Sequence, residues 1–139
     1  MTTTTVTHRA GSSFAIQIRS HEIVVDQTLA GGGADSAPTP LELLGASLGG
    51  CIAYYVHQFL TTRDLPADGI KVSVSQTRAA SPSRIDSFSV AVQLPAEIPE
   101  RYASVLERVL DICPAYNTLS HGAKISVAFE EPAKVAAPV

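Results

Sequence analysis

The chain has 139 residues, of which 45% are hydrophobic and 17% charged, with a formal net charge of −3. This length predicts a single domain over residues 1–139, large enough to bury a hydrophobic core. The dispersed, slightly acidic charge excludes a basic surface for nucleic acid or an anionic membrane. The first residues lack the apolar region of a signal peptide, and no stretch is long enough to span a bilayer, so we expect a cytoplasmic protein.

The first elements predicted are two paired strands. Phe14, Ile16 and Ile18 alternate with polar residues, which predicts a strand with one buried face, and residues 22–26 are its expected hairpin partner. Residues 27–37 contain three consecutive glycines without a phosphate-binding pattern, so they are predicted to be a flexible connection. We expect the Thr-rich residues 1–5 and the Ala- and Pro-rich residues 132–139 to be frayed tails.

Residues 38–59 predict a long buried helix. Thr39 and Glu42 have the spacing of a capping box, and Pro40 occupies the first helical position. Gly45 and Gly49 recur at four residues together with Ala53, which predicts a flat face that another helix or a sheet can approach closely. The apolar stripe predicted to face the core is Leu41, Leu44, Leu48, Cys51, Tyr55 and Phe59.

The second half of the chain predicts a hairpin, a second helix and a last strand. Residues 70–74 and 88–94 alternate as two strands, with a turn at 79–83. A helix is expected from Pro99 to the residue before Pro114. Its predicted buried face is Tyr102, Val105, Leu106 and Val109. Residues 117–122 are predicted to be a connection, and Ile125, Val127 and Phe129 alternate as a last strand. This order of elements predicts an α+β domain in which helices cover an antiparallel sheet.

The chain has two cysteines, Cys51 and Cys113. A structural disulfide is not expected in a reducing compartment, so they are either buried thiols that act as small hydrophobic residues or a redox pair. Each falls on the inward face of its predicted helix, so the two thiols could meet if their Cα atoms lie within about 7 Å. If Pro114 begins a short helical turn, Cys113 is its N-cap, and the helix dipole would lower the pKa of the thiol.

Several segments resemble the OsmC/Ohr family of osmotically induced and organic hydroperoxide resistance proteins. The resemblance extends from about Phe14 to Phe129 and rests on two cysteine motifs in the right order. It places the chain in the OsmC-like branch. The segments that carry the resemblance are 38–44 (PTPLELL), 48–51 (LGGC), 83–86 (SRID), Cys113 with Pro114, and Thr118 with Leu119.

The resemblance implies an OsmC-like α+β fold, with antiparallel sheets, a long buried central helix and a second helix, assembled as an intertwined homodimer. It also implies a thiol peroxidase in which Cys51 attacks an organic hydroperoxide and forms a sulfenic acid, which Cys113 resolves as a disulfide. A cellular dithiol, in this family often a lipoyl protein, would reduce the pair. The resemblance implies neither a cofactor nor a metal.

Two supporting residues are predicted with the thiols. In the organic hydroperoxide branch a glutamate stands ten residues before the first cysteine, whereas here that position is Leu41 and the acid is Glu42. Glu42 either completes the capping box or stabilises the thiolate or the substrate. Arg84 matches a family position and is a predicted substrate-binding or thiolate-stabilising residue, with Arg9 and Arg19 as alternative cations.

Two other functions remain open on the sequence alone. A non-catalytic OsmC-like dimer could bind an apolar ligand and keep both thiols inert in its core. A thiol redox sensor would use the same pair without turning over peroxide. Reactivity distinguishes the peroxidase from the ligand-binding dimer, since an activated thiolate reacts with alkylating agents at a pH well below 8.5 and a thiol in the core does not.

Overall fold

The computed structural model describes residues 1–132. The described chain begins with an antiparallel three-stranded sheet of order β1-β2-β3 and later contains a separate two-stranded antiparallel sheet, β4-β5. Three α-helices complete it, and a 3-10 helix at Arg108–Ile112 links the last two. The elements are β1 (Thr4–Ala10), β2 (Ser13–Ile18), β3 (His21–Val25), α1 (Pro40–Thr61), β4 (Lys71–Ala80), β5 (Ser83–Gln93), α2 (Glu100–Glu107) and α3 (Pro114–His121). The predicted α+β class is therefore confirmed.

The first three strands form a sheet that stands apart from the rest of the chain. The predicted pairing of the second and third strands is confirmed, with Ile16 opposite Ile23. A strand that was not predicted precedes them, because Thr4 and Thr5 lie in β1 opposite Ile18 and Gln17. The expectation of a frayed tail at these two residues is therefore wrong.

A buried carboxylate connects this sheet to the first helix. Asp26 follows β3 and accepts hydrogen bonds from the Ser12 hydroxyl, from the Gln27 amide at 2.7 Å, and from the amide and hydroxyl of Ser36 at 3.0 and 2.6 Å. Its own amide donates to the Pro38 carbonyl at 3.1 Å. Because these bonds favour the charged form, with Ser12 and then Ser36 contributing most, the pKa of Asp26 lies well below its usual range. Asp26 thus fixes the path of the glycine-rich loop up to the start of α1.

The predicted start of α1 is confirmed. The Thr39 hydroxyl accepts from the Glu42 amide at 3.3 Å, and Glu42 Oε2 accepts from the Thr39 amide at 2.7 Å. The set of buried residues on α1 differs from the predicted apolar stripe. Leu44, which was assigned to the stripe, is exposed, and several residues that were not assigned to it are buried. The fully or nearly buried side chains of α1 are Leu48, Ile52, Val56, Phe59 and Leu60.

The flat glycine face of α1 packs on β4. A Cβ atom at Gly45 would lie 2.9 Å from Gln76 Oε1, and one at Gly49 would lie 3.0 Å from Val74 Cγ2. The hairpin of β4 and β5 can therefore approach α1 only because both positions lack a side chain. The close neighbour of this face comes from the same chain, so the face does not by itself require a second subunit.

The end of the described chain differs most from the prediction. The expected second helix is divided into α2 and the 3-10 helix, and Val105, which was expected to be buried, is exposed. Residues 117–121 belong to α3 and are not a connection. Ile125, Val127 and Phe129 form no strand within residues 1–132, and their side chains are exposed. Residues 133–139 of the predicted second tail lie outside the described residues.

The hydrophobic core lies between α1, the β4-β5 hairpin and the segment that carries α2 and α3. Phe59 and Tyr102 meet edge to face with ring centroids 6.2 Å apart, which joins α2 to the end of α1. Between residues 1 and 132, no helix combines the length and the apolar character needed to cross a bilayer. The buried cluster is Leu48, Ile52, Val56, Phe59, Leu60, Ala67, Val109 and Cys113.

Candidate functional site

The two cysteines are neighbours in the fold, as their inward faces allowed. Cys51 is half-buried on α1, and Cys113 has no exposed surface. Both cysteines are free, and Cys51 is near enough to Cys113 to raise the pKa of the Cys113 thiol. The fold therefore pairs a partly exposed cysteine with a fully buried one.

Cys113 is the N-cap of α3, as the proline that follows it indicated. Its Sγ accepts a hydrogen bond from the Tyr116 amide at 3.5 Å, and Pro114 occupies the first helical position. The predicted direction of its pKa is wrong. Burial raises the pKa of the Cys113 thiol, the neighbouring Cys51 raises it further, and the amides of Tyr116 and Ala115 oppose both without reversing them. Cys113 is thus a protonated, shielded thiol at neutral pH.

An apolar cavity of about 590 Å³ lies between α1, β5 and α3. Neither cysteine lines it, but Leu48 lies one helical turn before Cys51, and Tyr116 lies one turn after Cys113. The rim is polar and consists of Ser83, Arg84, Asp86, Ser87 and Ser120. The apolar walls are formed by Leu41, Leu44, Leu48, Ile85, Phe88, Val90, Tyr116 and Leu119. A cavity of this size and composition suits a small apolar ligand with a polar end.

Arg84 lies on the rim of this cavity. Its guanidinium donates to Asp86 Oδ1 at 2.8 Å and to the Pro82 carbonyl at 3.1 Å. Both partners of the ion pair are about half exposed, so the pair contributes little to stability. It nevertheless neutralises the charge of Arg84 at the entrance to the cavity.

The chain matches the sequence model of one protein family over most of its length. Residues 32–128, more than half of its length, match the sequence model described as OsmC-like protein. The chain belongs to the OsmC-like family. None of the curated protein sequences matches it at a significant level.

Solved structures share the OsmC-like fold at low sequence identity. An OsmC-like protein from Mycoplasma pneumoniae is 16% identical, with a TM-score of 0.76 over 88% of this chain and 89% of that one. A protein from Psychrobacter arcticus, described as an osmotic stress induced and detoxification response protein, is 22% identical, with a TM-score of 0.78 over 85% and 88%. The organic hydroperoxide resistance protein OhrB of Bacillus subtilis is 17% identical, with a TM-score of 0.60 over 86% and 92%. At these identities the comparison shows the fold alone.

The other predicted site residues lie away from the thiols of this OsmC-like chain. The Glu42 carboxylate is engaged in the capping box, and its side chain lines a second groove along Gly45 and Gly49, between α1 and β4. Arg9 lines a third cavity beside Asp26, and Arg19 lies in the turn after β2 with a positive φ of 55°. Of the four predicted residues, the single chain brings Cys51 and Cys113 together and places Arg84 on the adjoining cavity.

The sequence prediction missed the wall that α3 contributes. Leu119 and Ser120 had been placed in a connection, yet they line the cavity from one face of that helix. Pro114 at the first helical position and Gly122 directly after the last residue are the pattern of a helix from 114 to 121, and this signal was available in the sequence. Among residues 1–132, no three His, Cys, Asp or Glu side chains cluster as a metal site would require.

Proposed function

We propose that this OsmC-like protein is a thiol-dependent peroxidase that reduces organic hydroperoxides in oxidative or osmotic stress defence. The observation that carries the proposal is the pairing of a half-buried Cys51 with a fully buried Cys113 beside an apolar cavity. Because Cys51 is partly exposed and Cys113 is fully buried, an incoming peroxide would meet Cys51 first. This asymmetry is what an attacking and a resolving thiol require.

The proposed reaction has three steps. The Cys51 sulfur attacks the terminal oxygen of the hydroperoxide and breaks the O–O bond, which leaves a sulfenic acid and, with the proton from the thiol, an alcohol. The Cys113 thiol then displaces water from the sulfenic acid and forms the Cys51–Cys113 disulfide. An external dithiol, which we propose to be carried by a lipoyl protein, reduces this disulfide and becomes a disulfide itself. No step needs a metal or another cofactor.

The similar structures support this proposal through their names. One is called an organic hydroperoxide resistance protein, and another an osmotic stress induced and detoxification response protein. Their low identity means that the activity is inferred for this chain from the thiols and the cavity. The leucine, phenylalanine and tyrosine walls favour a hydroperoxide with an alkyl chain over hydrogen peroxide. We further propose that the reaction takes place in the cytoplasm.

Arg84 and Glu42 receive different roles in the proposal. Arg84 lies at the cavity entrance, where its guanidinium can meet the polar end of a substrate. Glu42 is committed to the capping box in its own chain. A contact between Glu42 and a thiol or substrate would therefore come from a second copy of the chain.

We propose that the protein is a homodimer, and the surface of the single chain supports this. Its accessible surface is 10665 Å², whereas a compact monomer of 14.6 kDa exposes roughly 6,900 Å². Part of the excess lies on the three-stranded sheet, where Val6 is 56% exposed and Phe14 and Ile23 are also exposed. A sheet with an apolar face needs a second layer, and a second copy can provide it.

The segment that follows α3 supports the same assembly. Ile125, Val127 and Phe129 alternate with small or polar residues, and Phe129 is 99% exposed. Alternation of this kind is typical of a strand with one buried face. We propose that this segment pairs with a strand of the partner chain. A mass of 14.6 kDa by light scattering, in place of about twice that value, would contradict the homodimer.

The test of the peroxidase is intact mass under non-reducing conditions before and after one equivalent of cumene hydroperoxide. The wild type should lose two hydrogens and form the Cys51–Cys113 disulfide. Cys113→Ser should gain one oxygen as a sulfenic acid at Cys51, and Cys51→Ser should remain unchanged. With dihydrolipoamide in excess, only the wild type should consume peroxide through repeated disulfide reduction. Thiols that stay reduced in all three proteins would overturn the proposal.

A second candidate function is apolar ligand binding without turnover. Two observations favour this alternative. Neither sulfur lines the 590 Å³ cavity. Burial raises the pKa of the Cys113 thiol, which makes it less reactive. Retained ligand affinity together with unreactive thiols would support this alternative. Oxidation of the pair without sustained turnover would instead indicate a thiol redox sensor.

A further inference from the structure

The helix α2 is held to the rest of the chain more weakly than α1. None of its eight residues is buried, whereas seven residues of α1 are. Its N-cap position is Pro99, which provides no side-chain hydrogen bond to the first turn. The element that α2 contacts most is the 3-10 helix that follows it. Segments with few buried side chains open locally at low cost. We call residues 99–112, which comprise α2 and the 3-10 helix, the strap.

An aromatic and cationic cluster fastens the strap to the end of α1. Tyr102 of α2 meets Phe59 of α1 edge to face, with ring centroids 6.2 Å apart. The Arg63 guanidinium lies 3.7 Å from the centroid of the Phe59 ring and 5.7 Å from that of Tyr102. It also donates to the Phe59 carbonyl at 3.0 Å, which fixes its position on α1. Both kinds of contact are favourable, and we call Phe59, Arg63 and Tyr102 the clamp.

The strap ends at the buried thiol. Its 3-10 helix ends at Ile112, and the amide of the next residue, Cys113, donates to the Leu110 carbonyl at 3.1 Å. Cys113 has no exposed surface and belongs to the buried cluster against which Tyr102 and Leu106 of the strap pack. A 3-10 stretch within a helical segment often marks a hinge. Movement of α2 about this hinge removes Tyr102 and Leu106 from the cluster that encloses Cys113.

We propose that the strap closes over Cys113, that the clamp holds it closed, and that it opens while α1 and the β4-β5 hairpin stay folded. The closed strap keeps external disulfides away from Cys113. When the strap opens, the Cys113 thiolate can attack a small external disulfide, which forms a mixed disulfide and releases one thiol. The strap therefore controls whether Cys113 reacts with small disulfides. The inference goes beyond the proposed function, because it does not depend on any reaction of Cys51 with peroxide.

The experiment measures the reaction of dithiodipyridine with the Cys51→Ser protein, in which Cys113 is the only cysteine. The Cys113 sulfur attacks one sulfur of the reagent and forms a mixed disulfide, and the released thiopyridone, which carries the thiol proton, is followed by its absorbance. When the strap opens and closes rapidly, the rate equals the rate for unfolded protein multiplied by the open fraction. We expect the folded protein to react at least about 100-fold more slowly than the urea-unfolded protein. Equal rates would overturn the proposal.

Variants of Tyr102 and Arg63 test the clamp. Tyr102→Ala removes the ring that joins the strap to Phe59 and should raise the reaction rate at least about tenfold. Arg63→Ala should raise it by a smaller factor, since the ring contact remains. Tyr102→Phe keeps the ring and should react at the rate of the Cys51→Ser parent. An unchanged rate in Tyr102→Ala would overturn the role of the clamp.

Arg101 provides the matched control. Its guanidinium lies 4.8 Å from the Tyr102 ring, but both residues belong to α2, so this contact persists when the strap opens. Arginine and alanine have similar helix propensities, so Arg101→Ala should leave the rate within about twofold of the parent value. If Arg101→Ala accelerates the reaction as much as Tyr102→Ala, the contact with α1 is not what closes the strap.

The dependence on urea separates opening of the strap from unfolding of the whole chain. Because local opening exposes less surface, the logarithm of the reaction rate should rise with urea less steeply than that of the equilibrium constant for global unfolding. Asp26 is not part of the buried cluster against which the strap packs. Asp26→Asn should therefore lower the free energy of unfolding and leave the reaction rate unchanged. Equal urea dependences, or acceleration by Asp26→Asn in proportion to its loss of stability, would overturn local opening.

Hydrogen exchange tests the same opening in the wild-type protein, without any change in the clamp. The amides of α2 should exchange with a lower opening free energy than the amides of α1 near Leu60, which has no exposed surface. Exchange of both helices at the free energy of global unfolding would show that they open together, and the proposal would fail even if Tyr102→Ala could not be purified in a folded form.

Discussion

Two regions of the chain differ in how far they bury their apolar side chains. In residues 39–122, α1, the β4-β5 hairpin and the segment from α2 to α3 pack around one core, in which Leu60 and Cys113 have no exposed surface. The other region is the amino-terminal sheet β1–β3. The sheet leaves Val6, Phe14 and Ile23 exposed and makes no extensive contact with the other described elements. The candidate site thus lies in the part that completes its own core, whereas the sheet depends on a partner for its second layer.

The largest expected effect comes from a charge on the exposed sheet face. Val6 is paired with Ile16, which is paired with Ile23, so the three residues form one apolar row. If a second copy covers this row, Val6→Asp buries a carboxylate in the interface and should raise the dimer dissociation constant by on the order of 100-fold. Light scattering across a dilution series measures this change.

A matched control uses the neighbouring residue of the same strand. Thr5 points to the opposite face of the sheet, because successive side chains of a strand alternate. Thr5→Asp should leave the dissociation constant within about threefold of the wild-type value, corresponding to less than about 0.7 kcal/mol. If Val6→Asp remains dimeric at the same concentrations as Thr5→Asp, this face is not the interface.

A smaller effect is expected at the junction of the two parts, where Asp26 holds the loop between β3 and α1. Its folded pKa lies below the unfolded value of about 3.9, so its stabilisation is fully present above about pH 4 and declines as the pH falls towards the folded pKa. Asp26→Asn should therefore lower the free energy of unfolding at pH 7, and the difference from wild type should narrow at pH 3. Urea unfolding at fixed protein concentration tests both statements.

Asp35 provides the comparison for this pH dependence. It lies in the same loop and is exposed, and its side chain makes no hydrogen bond within the described residues. Asp35→Asn should change the free energy of unfolding by less than about 0.5 kcal/mol at either pH. A difference between Asp26→Asn and wild type that stays constant from pH 7 to pH 3 would contradict an ionised Asp26 as the source of the stabilisation.

Sequence reasoning succeeded where local signals were strong. The capping box at Thr39, the glycine face of α1 and the two long strands of the hairpin are set by local residue chemistry and by periodicity, and each is confirmed. The family resemblance is confirmed as well, because residues 32–128 match the sequence model described as OsmC-like protein. The roles proposed for Cys51 and Cys113 remain predictions.

The errors have physical reasons. The pKa of Cys113 was predicted from the helix dipole alone, but complete burial, which a local pattern does not reveal, outweighs the amides of α3. Thr4 and Thr5 were expected to fray, yet threonine favours strands, and pairing with β2 orders these two residues. The alternating segment at Ile125 has no strand partner among residues 1–132, so periodicity there indicated a burial that the single chain does not provide.

The smallest predicted effect is a change in the free energy of unfolding when Gly49 or Gly50 of α1 is replaced by alanine. Gly49 faces β4, where a methyl group would lie 3.0 Å from Val74, whereas nothing lies within 4 Å of the Cβ position at Gly50. Glycine costs a helix interior about 1 kcal/mol relative to alanine. Gly50→Ala should therefore stabilise the protein by about 0.5–1 kcal/mol in urea unfolding, while at Gly49 the crowding should cancel most of this gain.

Gly50→Ala also tests whether the partner chain covers the surface of α1 at Gly50. Gly50 lines the groove between α1 and β4, together with Glu42. If Gly50→Ala stabilises the protein and leaves the dimer dissociation constant unchanged, the groove is open in the assembled protein, and the second copy contacts the chain elsewhere, as the sheet face predicts. If it destabilises the protein and weakens the dimer, the partner packs closely against α1, and Glu42 lies within reach of the other subunit.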